Sequence, residues 1–492
     1  MTKKIIFRAD GSSTTGLGHL YRLFSLVEIV KDTFEFVFLT NETSTVSVIP
    51  SNYNKEVIPE NIKTEDEPKW LAVNYSPQEY IIIADGYQFI SSYQKEIKQK
   101  GYSLIYIDDL SKEYMYADVV INHSPYIQDI DYEKEAYTKL ALGTKYALLR
   151  PLFLKEAKKN RVINVIDSVF VCFGGADPFN LSLKAVESLL KISNFKNIHV
   201  VLGAAYKHKE IFYLEEKYSG KIKTYRNLSE EDLIKTIQLC NFAIAPSSTI
   251  VYELCSIKLP ILSGYFVDNQ RGIYDSLLKS GAIYGGGSFN NYTVQDFEVK
   301  VEEILKHSEI SHFIKNQKRL FSGDSKNNLL ELLNPLLITF RLAKVEDMLM
   351  VYDLSNDETV RYFSYNSKPI VLESHKKWFE SKITDKNCLF LIALFNNESA
   401  GIIRYEMNDK FATVGVLIAK KFRGKKMAPY FLRESAKKYF EQNDLPIFAY
   451  IKEENKASIK SFENSGYSFY KKENVKGEPS LIYKLEKNNV KP

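Results

Sequence analysis

The 492-residue chain has no apolar run near the ~18 residues that a membrane span requires. Its opening, MTKKIIFRAD, returns to charge after three apolar residues, so no secretory core is expected there. Cysteine is scarce: Cys172, Cys240, Cys255 and Cys388 are far apart and form no C-x-x-C pair. That excludes a disulfide scaffold and a zinc ribbon, and fits a reducing cytoplasm. The seven histidines (19, 123, 199, 208, 307, 312, 375) include no H-x-x-x-H or H-x-H spacing, so no metal site is expected. Asp108-Asp109 suits a strand-end turn better than a cation. With 45% hydrophobic and 26% charged residues, the composition is that of a folded, water-facing protein. At about 150 residues per domain, the length divides into roughly three.

The formal charge of +5 is uneven. From Arg341 onward Lys and Arg outnumber Asp and Glu by 27 to 20, which leaves the first 340 residues at −2. Lys420, Lys421, Arg423, Lys425 and Lys426 fall within seven residues. Such a cluster suits phosphate. Nucleic acid is not expected, because no matching basic surface runs through the rest of the chain.

Five short apolar runs open the chain: KKIIFRAD, FEFVFL, YIIIADG, SLIYIDD and ADVVINHS. Between the first two, HLYRLFSLVEIV sets Leu20, Leu23, Phe24, Val27 and Val30 on one helical face. Strands apolar on both faces and separated by helices predict a parallel sheet in α/β layers. The pattern restarts with VIDSVFVCFGG, NIHVVLG, NFAIAPSS and LPILSG. Two successive Rossmann-like halves facing a cleft are therefore expected, at 1–155 and 156–336, with ligands at the carboxyl ends of the strands. A third unit follows at 338–487, where ATVGVLIA enters a basic turn and the helix PYFLRESAKKYFEQ.

The first strand runs into a loop from Arg8 and Asp10 through Gly16 and Gly18 to His19. Glycines there let backbone N–H groups approach an anion at a helix start. Tyr21 stands where a dinucleotide fingerprint needs its third glycine, which argues against NAD. His19 opens the helix, where the dipole favours a neutral imidazole able to accept a proton from water; a capping or packing histidine is the plainer reading, but the Gly-x-Gly before it and its strand-end location favour catalysis. In the second half, Gly174-Gly175 follows a strand and Ser248-Thr249 opens a helix, suited either to holding a diphosphate or to capping. Glu253 lies one turn on, placed to accept from a ribose diol.

These residues, with IIIADGYQF, YIDD, LALGTKYALLRPLF, VFVCFGGADPFN, APSSTIVYELC and Asp268-Asn269-Gln270, resemble the UDP-sugar hydrolases of pseudaminic acid biosynthesis, relatives of MurG-type glycosyltransferases. The resemblance spans most of residues 1–335. It implies the GT-B fold and loss of UDP from a diacetamido-trideoxyhexose by inverting attack of water at the anomeric carbon, without a metal. It makes His19 the general base and Tyr87 and Asn269 substrate-site residues. Arg8, Asp10, Gly16, Gly18, Gly174, Gly175, Ser248, Thr249, Glu253 and Gln270 complete the expected substrate contacts.

The third unit resembles the GNAT acyltransferases, in the branch that acetylates the 4-amino group just before UDP removal in the same pathway. Arg423 and Ala428 fit the ends of the coenzyme A pyrophosphate turn, while Lys426 replaces its first glycine. Expected contacts to acetyl-CoA are Val416, Leu417, Ile418, Arg423, Gly424, Lys425, Lys426, Met427, Ala428, Asn455 and Ser458. The tyrosine that often protonates the leaving thiolate is Phe462 here, which leaves water, Tyr430 or another group as the source. Glu406 is a candidate base or an exposed strand residue, and Trp378 and Phe379 either stack on substrate or pack in a core.

The expected architecture is α/β, a GT-B type pair of Rossmann-like domains followed by a GNAT α+β domain. The expected function is 4-N-acetylation of UDP-4-amino-4,6-dideoxy-N-acetyl-altrosamine, then hydrolysis of UDP-2,4-diacetamido-2,4,6-trideoxy-altropyranose. UDP-amino-sugar and UDP-diacetamido-sugar are the implied partners, with other pathway enzymes, and neither nucleic acid nor membrane is expected. The alternative is a MurG-like glycosyltransferase carrying a non-catalytic domain that senses acetyl-CoA.

Overall fold

Strands that are apolar on both faces need cover on both faces, and the first two sheets are built that way. The computed structural model describes residues 3–12, 16–203, 205–306, 309–425 and 427–490. Its first sheet takes Lys4–Ala9, Phe36–Asn41, Lys55–Ile58, Tyr80–Asp85, Ser103–Ile107, Val119–Asn122 and Lys139–Leu142. These seven strands lie in the order third, second, first, fourth, fifth, sixth, seventh, all parallel. Ile5, Ile6 and Phe7 alternate faces and are all fully buried. The helix Gly18–Val30 lays Leu20, Leu23, Phe24, Val27 and Val30 into the core, the stripe that its spacing predicts.

The second sheet repeats the plan with Ser168–Val171, Asn197–Leu202, Ile222–Arg226, Phe242–Pro246, Ile261–Tyr265 and Tyr284–Ser288. Its six parallel strands run third, second, first, fourth, fifth, sixth. In both sheets the strand order reverses between the first strand and the fourth. The crevice at the carboxyl ends of those two strands is where open α/β sheets take ligands.

The third sheet is different. It is seven-stranded and ordered Thr339–Leu342, Cys388–Phe395, Glu398–Met407, Ala412–Ile418, Ile447–Lys452, Glu478–Leu485, Ser468–Val475. Its pairings are antiparallel except that between Ala412–Ile418 and Ile447–Lys452. The helix Ala428–Phe440 covers one face through Phe431, Leu432, Ala436 and Tyr439, all buried. The other face is packed by a cluster that includes Val351, Leu354, Phe379, Phe390 and Ile402. Phe379 is thus core, and Trp378 lies beneath the guanidinium of Arg404, 4.7 Å from its centroid. Phe379 therefore presents no face for stacking on a ligand, and one face of Trp378 is taken by Arg404. Among the described residues, no helix is long and apolar enough to cross a membrane.

Candidate active site

Two elements meet at the crevice of the first sheet. Lys4–Ala9 leads to the helix Gly18–Val30, and Tyr80–Asp85 delivers its last residue to the same edge. Asp85 is fully buried. Its carboxylate receives Arg22 through Nε at 2.8 Å and Nη2 at 2.5 Å, and His19 Nδ1 at 2.6 Å. Arg22 follows His19 by three residues, so the two side chains share a helical face. Arg22 Nη1 continues to Asp109 at 2.8 Å. Burial opposes the charge on Arg22, but Asp85 and Asp109 overcome it and hold the guanidinium protonated.

A carboxylate only accepts, so the contact to Asp85 is a hydrogen bond in the tautomer that carries the hydrogen on His19 Nδ1. Arg22 Nη2, which can only donate, stands 2.7 Å from the same ring nitrogen, and both nitrogens lie against Asp85 Oδ1; with the hydrogen on Nδ1 the ring has its lone pair on the other nitrogen. Nε2 is left as the basic nitrogen, on a ring that lines a cavity of about 300 Å³. Tyr87 stands edge-on to that ring, centroids 4.8 Å apart, and its hydroxyl donates to Asp109 at 3.2 Å.

His123 lines the same cavity from the end of Val119–Asn122, and the sequence reading did not single it out. Its Nδ1 accepts the backbone N–H of Leu148 at 3.2 Å, which puts the ring hydrogen on Nε2. Burial, helped by the charge of Arg22, pushes its pKa down to about 3, so the ring is neutral near pH 7. The available signal was a polar triplet, Asn122-His123-Ser124, ending an apolar strand on the edge that carries Asp85.

The second unit supplies the opposite wall: Ser247, Ser248, Thr249, Tyr252, Asn269 and Gln270. Ser248 occupies the cap position of the helix Thr249–Ser256 without a side-chain cap bond, so capping does not consume its hydroxyl. Of the expected contacts, Gly18, His19, Tyr87, Ser248, Thr249, Asn269 and Gln270 come together here.

The others do not. Arg8, 2% exposed, gives Nε and Nη2 to Glu67 at 2.8 and 2.9 Å and Nη1 to Asp10 at 2.5 Å. Asp10 also accepts from Thr40, the Asn41 backbone and Gln88, so the pair braces the end of the first strand instead of facing substrate. Gly16 takes φ +85° where the loop closes on Ser12, a backbone role. Gly174 and Gly175 lie outside the cavity wall; the Gly175 carbonyl accepts the Ala205 N–H at 3.1 Å. Glu253 is buried and held by both arms of Arg150, at 2.7 and 2.8 Å, so its carboxylate clamps the two halves and is not presented to a ribose. Asp108 takes the Leu110 and Ser111 amides and the Tyr132 hydroxyl, the strand-end turn expected of it.

A second candidate site lies in the third sheet. Ala412–Ile418 meets its parallel neighbour only at Ala412↔Ile447 and Thr413↔Phe448. Beyond Thr413 the strands part, and Val416, Leu417 and Ile418 fall in the opened stretch. The following turn places Gly424 at φ +76°, a left-handed conformation that suits glycine. Arg423 donates Nε to the Ile418 carbonyl at 2.9 Å and pairs Nη1 with Asp357 at 2.8 Å, leaving Nη2 buried without a partner. Lys425 rests over the Phe422 ring, Met427 is buried, and Ala428 begins the helix. Lys426 lies outside the described residues. Asn455 caps the helix Lys456–Glu463 by accepting the Ser458 N–H at 3.1 Å.

Two groups suggested for this site are already engaged elsewhere. The Tyr430 hydroxyl is engaged by the Leu336 carbonyl, to which it donates at 3.4 Å, and burial pushes its phenol well above the ordinary range. Although burial works the other way, Lys382 and Arg404 hold the Glu406 carboxyl below the ordinary range, and a doubly paired carboxylate is a poor base. Phe462 is buried edge-on to Tyr467, centroids 4.9 Å apart.

These two sites define a chain that couples a Rossmann-like pair to an acyltransferase unit. Residues 337–468 match the family described as acetyltransferase (GNAT) domain. The UDP-2,4-diacetamido-2,4,6-trideoxy-beta-L-altropyranose hydrolase of Campylobacter jejuni is 28% identical, over 56% of this chain and 97% of its own length. The spore coat polysaccharide biosynthesis protein SpsG of Bacillus subtilis is 24% identical, over 56% of this chain and 80% of its own. An uncharacterized protein of Methanocaldococcus jannaschii is 26% identical over 95% of this chain and 97% of its own, so the joined arrangement recurs. The chain is a fusion: its N-terminal half is homologous to a UDP-sugar hydrolase, and a GNAT domain follows.

Proposed function

We propose that the chain is a bifunctional enzyme of pseudaminic-type acid biosynthesis. In this reading it acetylates the 4-amino group of UDP-4-amino-4,6-dideoxy-N-acetyl-altrosamine, then hydrolyses the resulting UDP-2,4-diacetamido-sugar. Residues 1–155 and 156–336 act as the halves of a GT-B hydrolase, and 338–487 as the acetyltransferase. A cytoplasmic setting goes with both substrates.

The observation that carries the hydrolase reading is the His19–Asp85 hydrogen bond at 2.6 Å, which leaves Nε2 of a cavity-lining imidazole free. As water attacks, an oxygen–C1 bond forms while the C1–oxygen bond to UDP breaks. The proton of the water passes to His19 Nε2, and the electron pair departs with UDP. Asp85 stabilises the imidazolium, and the His123 N–H serves as a neutral donor to substrate oxygen. Tyr87, Asn269, Gln270, Ser248 and Thr249 are the proposed sugar and diphosphate contacts. No metal enters the scheme, and UDP release that survives chelation is the expected result.

For the acetyltransferase, the bound acetyl-CoA supplies an activated thioester. What supports its fit is the buried, unpartnered Arg423 Nη2 beside the left-handed turn at Gly424, suited to a pyrophosphate, next to a strand edge parted for an extended amide chain. The sugar amine bonds the acetyl carbon, the carbon–sulfur bond breaks, and the proton lost by nitrogen balances the one gained by the thiolate. With Phe462 in place of a phenol and the Tyr430 hydroxyl given to the Leu336 carbonyl, that transfer runs through solvent.

Incubation with the UDP-4-amino-sugar and acetyl-CoA in ¹⁸O-water tests both halves together. The expected products are free thiol, UDP without label and a diacetamido-sugar carrying the label. Lys426 and Phe462 are the features that favour a sensing domain, and the alternative joins such an acetyl-CoA-sensing domain to a glycosyltransferase. That alternative releases little UDP without a sugar acceptor and no thiol.

A further inference from the structure

A cavity of about 690 Å³ opens beside the Arg423–Gly424 turn, and its walls come from all three units of the chain, the second contributing Leu332, Pro335 and Leu336. On one side are the turn, Arg433 of the helix Ala428–Phe440 and Lys460 of the next helix. On the other are Asp118, Tyr137 and Lys139 of the first unit. We infer that the first unit builds the outer wall of the coenzyme A cleft, so that the adenosine-phosphate end of the acyl donor is held between the hydrolase-like and acetyltransferase units. The inference rests on the acetyltransferase reading proposed above.

Three observations carry it. First, Arg423 and Gly424 belong both to the pyrophosphate turn and to this cavity, so a ligand seated on the turn continues into it. Second, the cationic groups in the wall, Arg423, Arg433, Lys460 and Lys139, face one carboxylate, Asp118. Asp118 is already committed, to Lys98 at 2.6 Å and to the Leu104 N–H at 2.8 Å, and Arg423 and Arg433 pair with Asp357 at 2.8 Å and Glu434 at 3.2 Å; the cationic groups still outnumber the carboxylates, a surplus suited to a phosphorylated nucleoside. Third, the wall is fixed in place. Tyr137 donates its hydroxyl to the Tyr116 carbonyl at 2.9 Å, and Lys98 lies 5.6 Å over its ring. The units also touch where Phe34 meets Phe395, ring centroids 6.0 Å apart. Recognition of the acyl donor is then a property of the fused chain.

The test compares two thioesters on the full-length protein: acetyl-CoA and S-acetyl-4′-phosphopantetheine, which lacks the adenosine 3′-phosphate. Lys139→Glu reverses an exposed charge, and Tyr137→Ala removes the aromatic wall; melting curves establish that each variant is folded. Loss of a charge-assisted contact to phosphate predicts a KM for acetyl-CoA raised about tenfold, with the preference of the wild type for the longer thioester shrinking by the same factor. Folded variants that both keep the wild-type preference would overturn the inference while leaving the acetyltransferase reading intact. A wild type that turns over neither thioester would overturn both.

Discussion

Arg8 and Glu67 form a bidentate pair in which each residue is 2% exposed, and Tyr93 donates to the same carboxylate at 2.7 Å. Removing one partner of such a pair leaves a buried charge uncompensated, which costs about 3–5 kcal/mol. Glu67→Gln should therefore lower the unfolding free energy by that order in a denaturant titration, and a change within error would show that Asp10 alone suffices for Arg8. His123 makes a prediction about pH. Its folded pKa, near 3, lies below the ordinary 6.5, so the unfolded chain binds a proton that the native chain refuses. Stability should fall as pH drops from about 6.5 toward 3, and His123→Gln should flatten that part of the curve. At this scale the sequence was readable where the signal was local. His19 stood out beside its glycines, and Arg22 was within reach through its three-residue spacing. The partners were not: Asp85 lies 66 residues from His19, and Arg150 lies 103 from Glu253. A carboxylate matched to a ribose and one matched to a distant arginine look alike until the chain folds.

Among elements, the interior strands of both parallel sheets declare themselves as apolar runs, because they are buried on both faces. The four edge strands, Lys55–Ile58, Lys139–Leu142, Ile222–Arg226 and Tyr284–Ser288, gave no such signal. Lys55, Glu56 and Val57 are exposed, and YGGGS carries little apolar surface, as edges that avoid further pairing tend to be. The parting of Ala412–Ile418 from its neighbour was equally hidden, since it depends on register and not on residue type. The turn after it is testable on its own. A side chain at φ +76° strains the backbone by roughly 1–2 kcal/mol, so Gly424→Val should raise the KM for acetyl-CoA about tenfold. An unaltered KM would remove this turn from the acyl-donor site.

For the whole molecule, the uneven charge visible in the sequence acquires a location. The basic excess of the last unit gathers at the turn and cavity that suit a multiply phosphorylated acyl donor, while the His19 crevice lies between the first two units. If the two reactions run in sequence, UDP-4-amino-sugar alone should release UDP slowly, and addition of acetyl-CoA should accelerate that release, with N-acetyl product and free sugar both seen by mass spectrometry. UDP release indifferent to acetyl-CoA would separate the two activities. The central claim is narrower: an imidazole oriented by Asp85 deprotonates the attacking water. The most direct measurement is the rate of UDP release from the diacetamido substrate by His19→Asn, with its melting temperature recorded beside the wild type. General-base assistance is worth about 10²–10⁴-fold, so the account predicts a folded variant slowed by that factor. A folded variant releasing UDP at the wild-type rate would contradict it.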